Sequence, residues 1–251
     1  MNKLVKQQIL PRARRQFSTN GSLKKLLSEF DPSLPVGRAF TSPASWYSGA
    51  DLLKSEMESV FQNYWLHVGH LEQLPGANSY FSGKFNKYPF LVCRDAENQL
   101  KAYWNVCRHH AAVIADGCGT ATEFTCPYHG WCYGNDGKLL KANKMFGIKD
   151  FRQENYGLKP IQVDSWGPFI FLGFGEERLP PVAETHREVL EPVADVGRLD
   201  ALKHVKRVEY PMDCNWKVFC DNYLDGGYHV PYAHKALTTG IDMNTYKTSL
   251  V

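Results

Sequence analysis

Two short stretches of the chain each pair a thiol with an imidazole. They are Cys107-Arg108-His109 and Cys126-Pro127-Tyr128-His129, with sixteen residues between them. A structural zinc ion is usually held by like pairs, Cys with Cys and His with His. Here each stretch offers one of each. A [2Fe–2S] cluster with two thiolates on one iron and two imidazoles on the other makes that demand, because each loop then supplies one ligand to each iron. Gly117, Gly119 and Gly130 flank the pairs and permit tight loops whose amides face bridging sulfides, and Pro127 stiffens the second loop. The expected ligands are therefore Cys107, His109, Cys126 and His129. A Cys2His2 zinc site, or buried cysteines beside satisfied core histidines, is the plainer alternative. Cys118, Cys132 and His110 read as bystanders.

About one hundred residues later, His229 and His234 stand five apart with Pro231 between them. On a regular helix that spacing turns two rings off one face. The proline is expected to end the helix, so that the second ring swings back. Two converging imidazoles suit a 2-His-1-carboxylate Fe(II) centre with open positions for O2. Taken alone, the pair reads as two surface histidines; following the first constellation, it reads as a second metal site.

The two sites together resemble the α-subunit family of Rieske non-haem iron oxygenases. The likeness runs from about Asp31 to the end. It rests on Ser45-Trp46-Tyr47, Asn105-Val106-Cys107, Cys126 to Trp131, Trp166-Gly167-Pro168-Phe169, Asn215-Trp216-Lys217 and Asn222 to His234. The last stretches look most like the choline monooxygenases of plants and their relatives. Respiratory-chain Rieske proteins carry an extra Cys in each ligand loop. Ala112 and Tyr128 stand near those places here, so the cluster resembles the lower-potential type of oxygenases and their ferredoxins.

The resemblance implies a division of labour. A Rieske domain takes an electron from a ferredoxin or reductase. A helix-grip domain holds a mononuclear Fe(II), on His229 and His234, that activates O2 and oxidises a quaternary amine such as choline to betaine aldehyde hydrate. Many relatives place an Asp three residues before the first His, joining one subunit's cluster to its neighbour's iron within a homotrimer. That position is Gly226 here. Asp221 and Asp225 are the candidates for this electron-transfer bridge, and Asp225 is also a candidate substitute ligand. The family's carboxylate ligand lies far downstream, in a longer catalytic domain. The chain is thus expected to be truncated and unable to complete the mononuclear site alone. A stand-alone Rieske electron carrier, or an inactive form docking on full-length subunits, is the alternative. Tyr223, Tyr228 and Tyr232 near the His pair offer aromatic faces that hold quaternary ammonium ions elsewhere.

The elements that position these residues follow from pattern. Asp51 to Tyr64 shows an apolar stripe at helical spacing (Leu52, Leu53, Met57, Val60, Phe61). Short aromatic and β-branched runs then predict strands at 65–69, 79–83, 90–94, 100–105, 120–125, 130–133 and 161–174. Asn135-Asp136-Gly137 signals a hairpin. A helix interrupted by Pro192 is expected over 184–196, a strand over 204–210 and a helix over 216–228. The fold class is a mainly β Rieske domain (61–178) after a linker and helix (29–60), followed by the start of an α+β helix-grip, START-like catalytic domain (195–251).

Composition bounds the rest. The chain is 43% hydrophobic and 22% charged, as in ordinary globular proteins. No apolar run reaches the roughly 18 residues of a bilayer span, and no membrane role is expected. Residues 1–28 carry seven basic and no acidic groups, leaving 22 basic against 26 acidic for the rest. That imbalance argues against a nucleic-acid-binding body and for a removable targeting leader. Arg15-Gln16-Phe17-Ser18 resembles a mitochondrial processing site, so the plastid stroma and the mitochondrial matrix both stand. Seven cysteines without a secretory signal favour metal binding over disulfides.

Overall fold

The computed structural model describes residues 21–145 and 147–245. Most of the expected leader, residues 1–20, lies outside them. The chain divides into two compact units: Phe61–Arg207, and Met1–Val60 together with Val208–Val251.

Among the described residues, the larger unit is built from ten strands in three antiparallel sheets. β1 (Leu66–His70), β10 (Phe169–Gly173) and β9 (Gln162–Trp166) form one, in the order β1-β10-β9. β4 (Leu100–Trp104), β3 (Tyr88–Arg94), β2 (Ser79–Phe85) and β5 (Cys118–Thr120) form the second. β6 (Glu123–Thr125), β7 (Cys132–Gly134) and β8 (Leu139–Lys141) form the third. β3 explains how the sheets share a core. Its alternate residues point to opposite faces, and both faces are covered. Phe90 and Val92 enter one apolar cluster with Val68, Ile170 and Leu172; Leu91 and Cys93 enter another with Cys107, Cys126, Trp131 and Tyr133. Burying each large apolar side chain contributes about 1.5–3 kcal/mol, so the strand that carries both faces anchors the unit.

Most strand expectations match observed strands within a few residues; three strands and one helix need correction. The run 120–125 is not one strand: β5 ends at Thr120 in the second sheet, and β6 begins at Glu123 in the third. The run 161–174 is not one strand but the hairpin β9–β10. Gly167, at φ +51°, makes the reversal, and Trp166 pairs with Phe169 across it. An unbroken apolar run hides a turn when both arms bury apolar side chains. The run 204–210 shows no strand. Val205 and Tyr210 are exposed there, and no described strand pairs with it, so alternation alone does not make a ladder. The expected helix 216–228 stops at Leu224, where consecutive left-handed glycines, Gly226 (φ +73°) and Gly227 (φ +78°), turn the chain.

In the smaller unit, α1 (Gly21–Leu27), α2 (Ala44–Ser48) and α3 (Ala50–Glu56) precede the larger unit in sequence. α3 runs on as a π-helical turn over Met57–Phe61. α4 (Val182–Thr185) and α5 (Arg187–Gly197) belong to the larger unit; α5 runs through Pro192, and the break in the expected helix falls at His186 instead. α6 (Trp216–Leu224) belongs to the smaller unit. Buried Glu56 accepts Lys217 Nζ at 2.7 and 2.9 Å and Trp216 Nε1 at 2.9 Å. Asn215 caps α6 through the Lys217 amide at 3.1 Å and donates to the Tyr47 carbonyl at 3.1 Å. The Ser45-Trp46-Tyr47 and Asn215-Trp216-Lys217 stretches are thus two halves of one clasp.

Candidate metal centres

The first mixed pair sits between β4 and β5, the second between β6 and β7, and the two loops are built alike. In each, the Cys amide donates to the carbonyl five residues on: Cys107 to Ala112 at 2.8 Å, and Cys126 to Trp131 at 2.7 Å. In each, the amide four residues on donates back to the Cys carbonyl: Ala111 at 2.9 Å, and Gly130 at 3.0 Å. That residue is left-handed in both, Ala111 at φ +58° and Gly130 at φ +69°. Buried Asn105 pins the first loop, donating to the Ala115 carbonyl at 2.7 Å and accepting the Ala115 amide at 3.0 Å. Asn143 pins the second, donating to the carbonyls of His129 and Gly130 at 3.2 and 3.1 Å.

These loops bring the expected ligands together. Cys107 and Cys126 are buried, His109 is half-buried and His129 is exposed. The His109 and His129 rings lie 4.7 Å apart. Burial, with His110 and His129 beside it, holds the His109 ring below its ordinary pKa. His109 Nδ1 is buried and has no hydrogen-bond partner, as is Trp131 Nε1. A buried ring nitrogen left unsatisfied calls for a ligand, and a metal answers it.

The donor set also decides between one ion and a cluster. Nitrogens of His109, His110 and His129 all lie within 4.8 Å of one another, and the two thiols do not join that set. A single tetrahedral zinc would draw its two sulfurs and two nitrogens together. Thiols set apart from imidazoles fit a two-iron cluster, which Cys107 and Cys126 would hold through sulfur and His109 and His129 through nitrogen. His110, read as a bystander, joins the histidine group by position; being exposed, it faces solvent beside the pair.

Sequence reading passed over three supporting residues. Tyr133, fully buried, places its hydroxyl 3.2 Å from Cys107 Sγ while accepting the Arg108 amide at 2.9 Å. Burial pushes its phenol well above the ordinary range, with the Cys107 hydrogen bond adding to it. Trp131 lies flat against His109, with ring centroids 4.8 Å apart. Asn143 is the third. Trp131 enters the sequence reading only as part of the Cys126 to Trp131 stretch, with no role of its own, and Tyr133 lies just beyond it; Asn143 carries no local signal.

In the smaller unit the His229 and His234 rings lie 5.1 Å apart. They converge for a reason other than the one expected. Pro231 does not end a helix but opens the short α7 (Val230–Ala233), with His229 as its N-cap, as the missing proline N–H permits. His234 then links α7 to α8 (Lys235–Thr238). Asp225 Oδ2 lies 2.5 Å from His229 Nδ1, leaving Nε2 as the open nitrogen. Desolvation pushes the Asp225 carboxyl up, but the Gly227 amide and the His229 ring outweigh it and hold it below the usual range. Asp221 instead accepts the Tyr47 hydroxyl at 2.6 Å. Among the described residues, His109, His110 and His129 are the one group of three converging metal-ligating side chains, so no carboxylate joins the open face of His229 and His234.

Comparison with known proteins agrees with this division. Residues 64–152 match the Rieske [2Fe–2S] domain, and residues 199–249 match the ring hydroxylating alpha subunit catalytic domain. The chloroplastic choline monooxygenase of Arabidopsis thaliana is 44% identical, over 91% of this chain and 56% of its own length. The carnitine monooxygenase oxygenase subunit of Acinetobacter pittii is 29% identical, over 90% and 60% respectively. The crystal structure of the quaternary ammonium Rieske monooxygenase CntA with L-carnitine superposes with a TM-score of 0.76 at 29% identity, covering 81% of this chain and 58% of that one. The chain therefore spans little more than half the length of these relatives. The two matched domains imply a [2Fe–2S] cluster and a mononuclear iron. With two mixed ligand loops on a three-sheet β unit and a following catalytic-domain segment, the chain belongs to the α-subunit family of Rieske non-haem iron oxygenases.

Proposed function

We propose that this chain forms the electron-accepting unit and part of the oxygen-activating centre of a Rieske-type monooxygenase of quaternary amines, with choline as substrate and betaine aldehyde hydrate as product. The observation that carries the reading is the cradle itself: two matched loops presenting buried thiols and, apart from them, imidazoles with an orphaned Nδ1. Choline is supported by the relatives that bear its name, and the plastid by their description as chloroplastic.

In this reading Cys107 and Cys126 hold one iron of the cluster, His109 and His129 the other, and His229 and His234 the mononuclear iron. The groups bound there supply one-electron storage and O2 activation. The chain's own contributions are positional. Tyr133 keeps its proton at Oη against Cys107 Sγ. Trp131 fixes the plane of the His109 ring and, with the surrounding apolar cluster, keeps water from the thiols. Asp225 takes His229 Nδ1 and so selects Nε2 for the metal, the arrangement in which a carboxylate orients a ligating imidazole. It is also the better placed of the two acids to serve as the electron-transfer bridge, because Asp221 is engaged by Tyr47. A ferredoxin supplies the electrons, and O2 the inserted oxygen.

The test is anaerobic reconstitution of the chain with iron and sulfide, then turnover with reduced ferredoxin, 18O2 and choline, carnitine or glycine betaine. Expected are about two iron and two sulfide per chain for the cluster, and labelled product from choline only where a carboxylate completes the His229 and His234 centre. A chain that loads no cluster refutes the reading. A second reading is a Rieske electron carrier, supported by a ligand cradle built wholly within Phe61–Arg207. It predicts a reversible one-electron couple, no iron beyond the cluster and no O2 uptake with any of these amines.

A further inference from the structure

Residues 203–207 are the last stretch of the larger unit before the chain enters the smaller one at Val208. They form a strap fastened to the end of β1 and to the turn Leu71–Gln73 that follows it. Glu72 accepts Lys203 Nζ at 2.9 Å on one carboxylate oxygen and the His204 amide at 2.6 Å on the other. Arg207 donates to the Val68 carbonyl at 3.0 Å. The His70 and His204 rings lie 5.6 Å apart. His70 also caps the turn: its Nδ1 accepts the Glu72 amide at 3.1 Å, and its own amide donates to the Gln73 side chain at 2.8 Å. A capping side chain is ordinarily a local brace and nothing more. Two features set this one apart. An imidazole that accepts at Nδ1 carries its one neutral proton at Nε2, and His70 Nε2 is buried with no hydrogen-bond partner among the described residues. The surroundings are also rich in bases: His67 on β1, and Lys203, His204 and Arg207 on the strap, with Glu72 as their acid. β10 contributes Phe169, edge-on to His67 at 5.3 Å and to His70 at 6.0 Å. Desolvation holds His67 below its ordinary pKa, with Arg207 and His70 adding to it against the pull of the Gly69 carbonyl. The His204 amide and Lys203 hold the Glu72 carboxyl below its usual range, so it stays ionised while the imidazoles titrate.

We propose that His70 is a pH-operated latch: neutral, it fastens the strap to the turn after β1, and protonated, it lets the strap go. A proton taken from solvent has one place to go, Nδ1, whose lone pair holds the Glu72 amide. Once Nδ1 bears hydrogen, two N–H groups face each other and the turn opens. Glu72 moves with it, and the Glu72 carboxylate is the grip on Lys203 and His204. The new charge also falls among His67, Lys203, His204 and Arg207, where like charges disfavour it. Histidine makes this change between about pH 5 and 8. The strap is therefore held at the alkaline end of that range and released as the pH falls through it. What the latch governs is the freedom of the chain that connects the two units. Neither metal centre takes part in it.

The experiment is amide hydrogen exchange on the full chain, read by mass spectrometry between about pH 8 and pH 5.5 and corrected for the intrinsic pH dependence of exchange. Peptides covering 71–74 and 202–207 report on the turn and the strap, and β3 is the internal reference. Expected in the wild-type chain is a loss of turn and strap protection that approaches about tenfold per pH unit, the limit for one linked proton, while β3 keeps its protection. His70→Gln offers an amide oxygen to the Glu72 amide and takes up no proton, so its strap is expected to stay equally protected at both ends of the range. Wild-type protection that does not change with pH overturns the proposal. So does a loss in His70→Gln equal to that in wild type, and so does a loss that β3 shares, which is acid unfolding of the whole unit. Nitrogen-15 NMR of the wild-type imidazoles is a check that needs no variant, and it decides the matter where His70→Gln lacks the strap even at high pH. Expected is the Nε2–H tautomer of His70 at high pH, titrating in step with strap release. An Nδ1–H tautomer, or release that follows the titration of another group, overturns the proposal.

Discussion

Tyr133 shows what a single side chain can set in this protein. Its hydroxyl lies 3.2 Å from Cys107 Sγ in a fully buried setting, and it also accepts the Arg108 amide. Hydrogen bonds to cluster sulfur are stronger when the cluster is reduced and more negative, so they raise the reduction potential. Tyr133→Phe removes that bond with little loss of packing. The expected result is a fall in cluster potential on the order of 40 mV, taking ~1 kcal/mol for the differential hydrogen bond. Redox titration followed by electron paramagnetic resonance measures it, and an unchanged potential would show that the hydroxyl serves the Arg108 amide alone. The four cluster-ligand candidates were legible at this scale because thiol and imidazole at short spacing have few other uses. Tyr133 was not, since a tyrosine in a β run reads as packing until its hydroxyl is seen against sulfur.

At the scale of elements, the two ligand loops are variations on one turn, and their left-handed positions differ instructively. Gly130 occupies φ +69°, and a Cβ there would lie 2.7 Å from Asn143 Nδ2. Gly130→Ala therefore meets backbone strain and must also displace the side chain that pins the loop. It is expected to lower stability by about 1–2 kcal/mol and to reduce cluster content on reconstitution. Ala111 holds the matching place at φ +58° with a side chain already present, so Ala111→Gly is expected to be near neutral. Denaturant midpoints and iron-to-protein ratios for the pair check both. Equal effects would mean the loops are not equivalent copies. The strands around these loops could be read from alternation and turn residues, since period two and Asn135-Asp136-Gly137 are local signals. The β9–β10 hairpin and the missing 204–210 strand could not, because a turn inside an apolar run and the presence of a partner strand are facts of pairing.

For the molecule as a whole, the smaller unit joins residues far apart in the chain. The Glu56–Lys217 pair, each side chain 12% exposed, ties α3 to the start of α6 at 2.7 Å. Removing one member leaves a largely buried charge without its partner. Lys217→Met is expected to cost about 3 kcal/mol, and the double change Glu56→Leu/Lys217→Met markedly less, because desolvating a pair offsets most of its attraction. Chemical unfolding of the single and double variants decides this, and additive losses would contradict it. The sequence by itself determined the chemistry: which thiols and imidazoles stand at ligand spacing, that they are mixed pairs, and that a second His pair follows. Those choices are local, written in residue type and offset. Only the tertiary structure decided how they are used. It set thiols apart from imidazoles and left His109 Nδ1 unsatisfied. It turned Asp225 to His229 and Asp221 to Tyr47, and it brought Ser45-Trp46-Tyr47 to Asn215-Trp216-Lys217. The physical reason is that hydrogen-bond partners and burial are relations between residues distant in the chain, and packing in three dimensions alone assigns them.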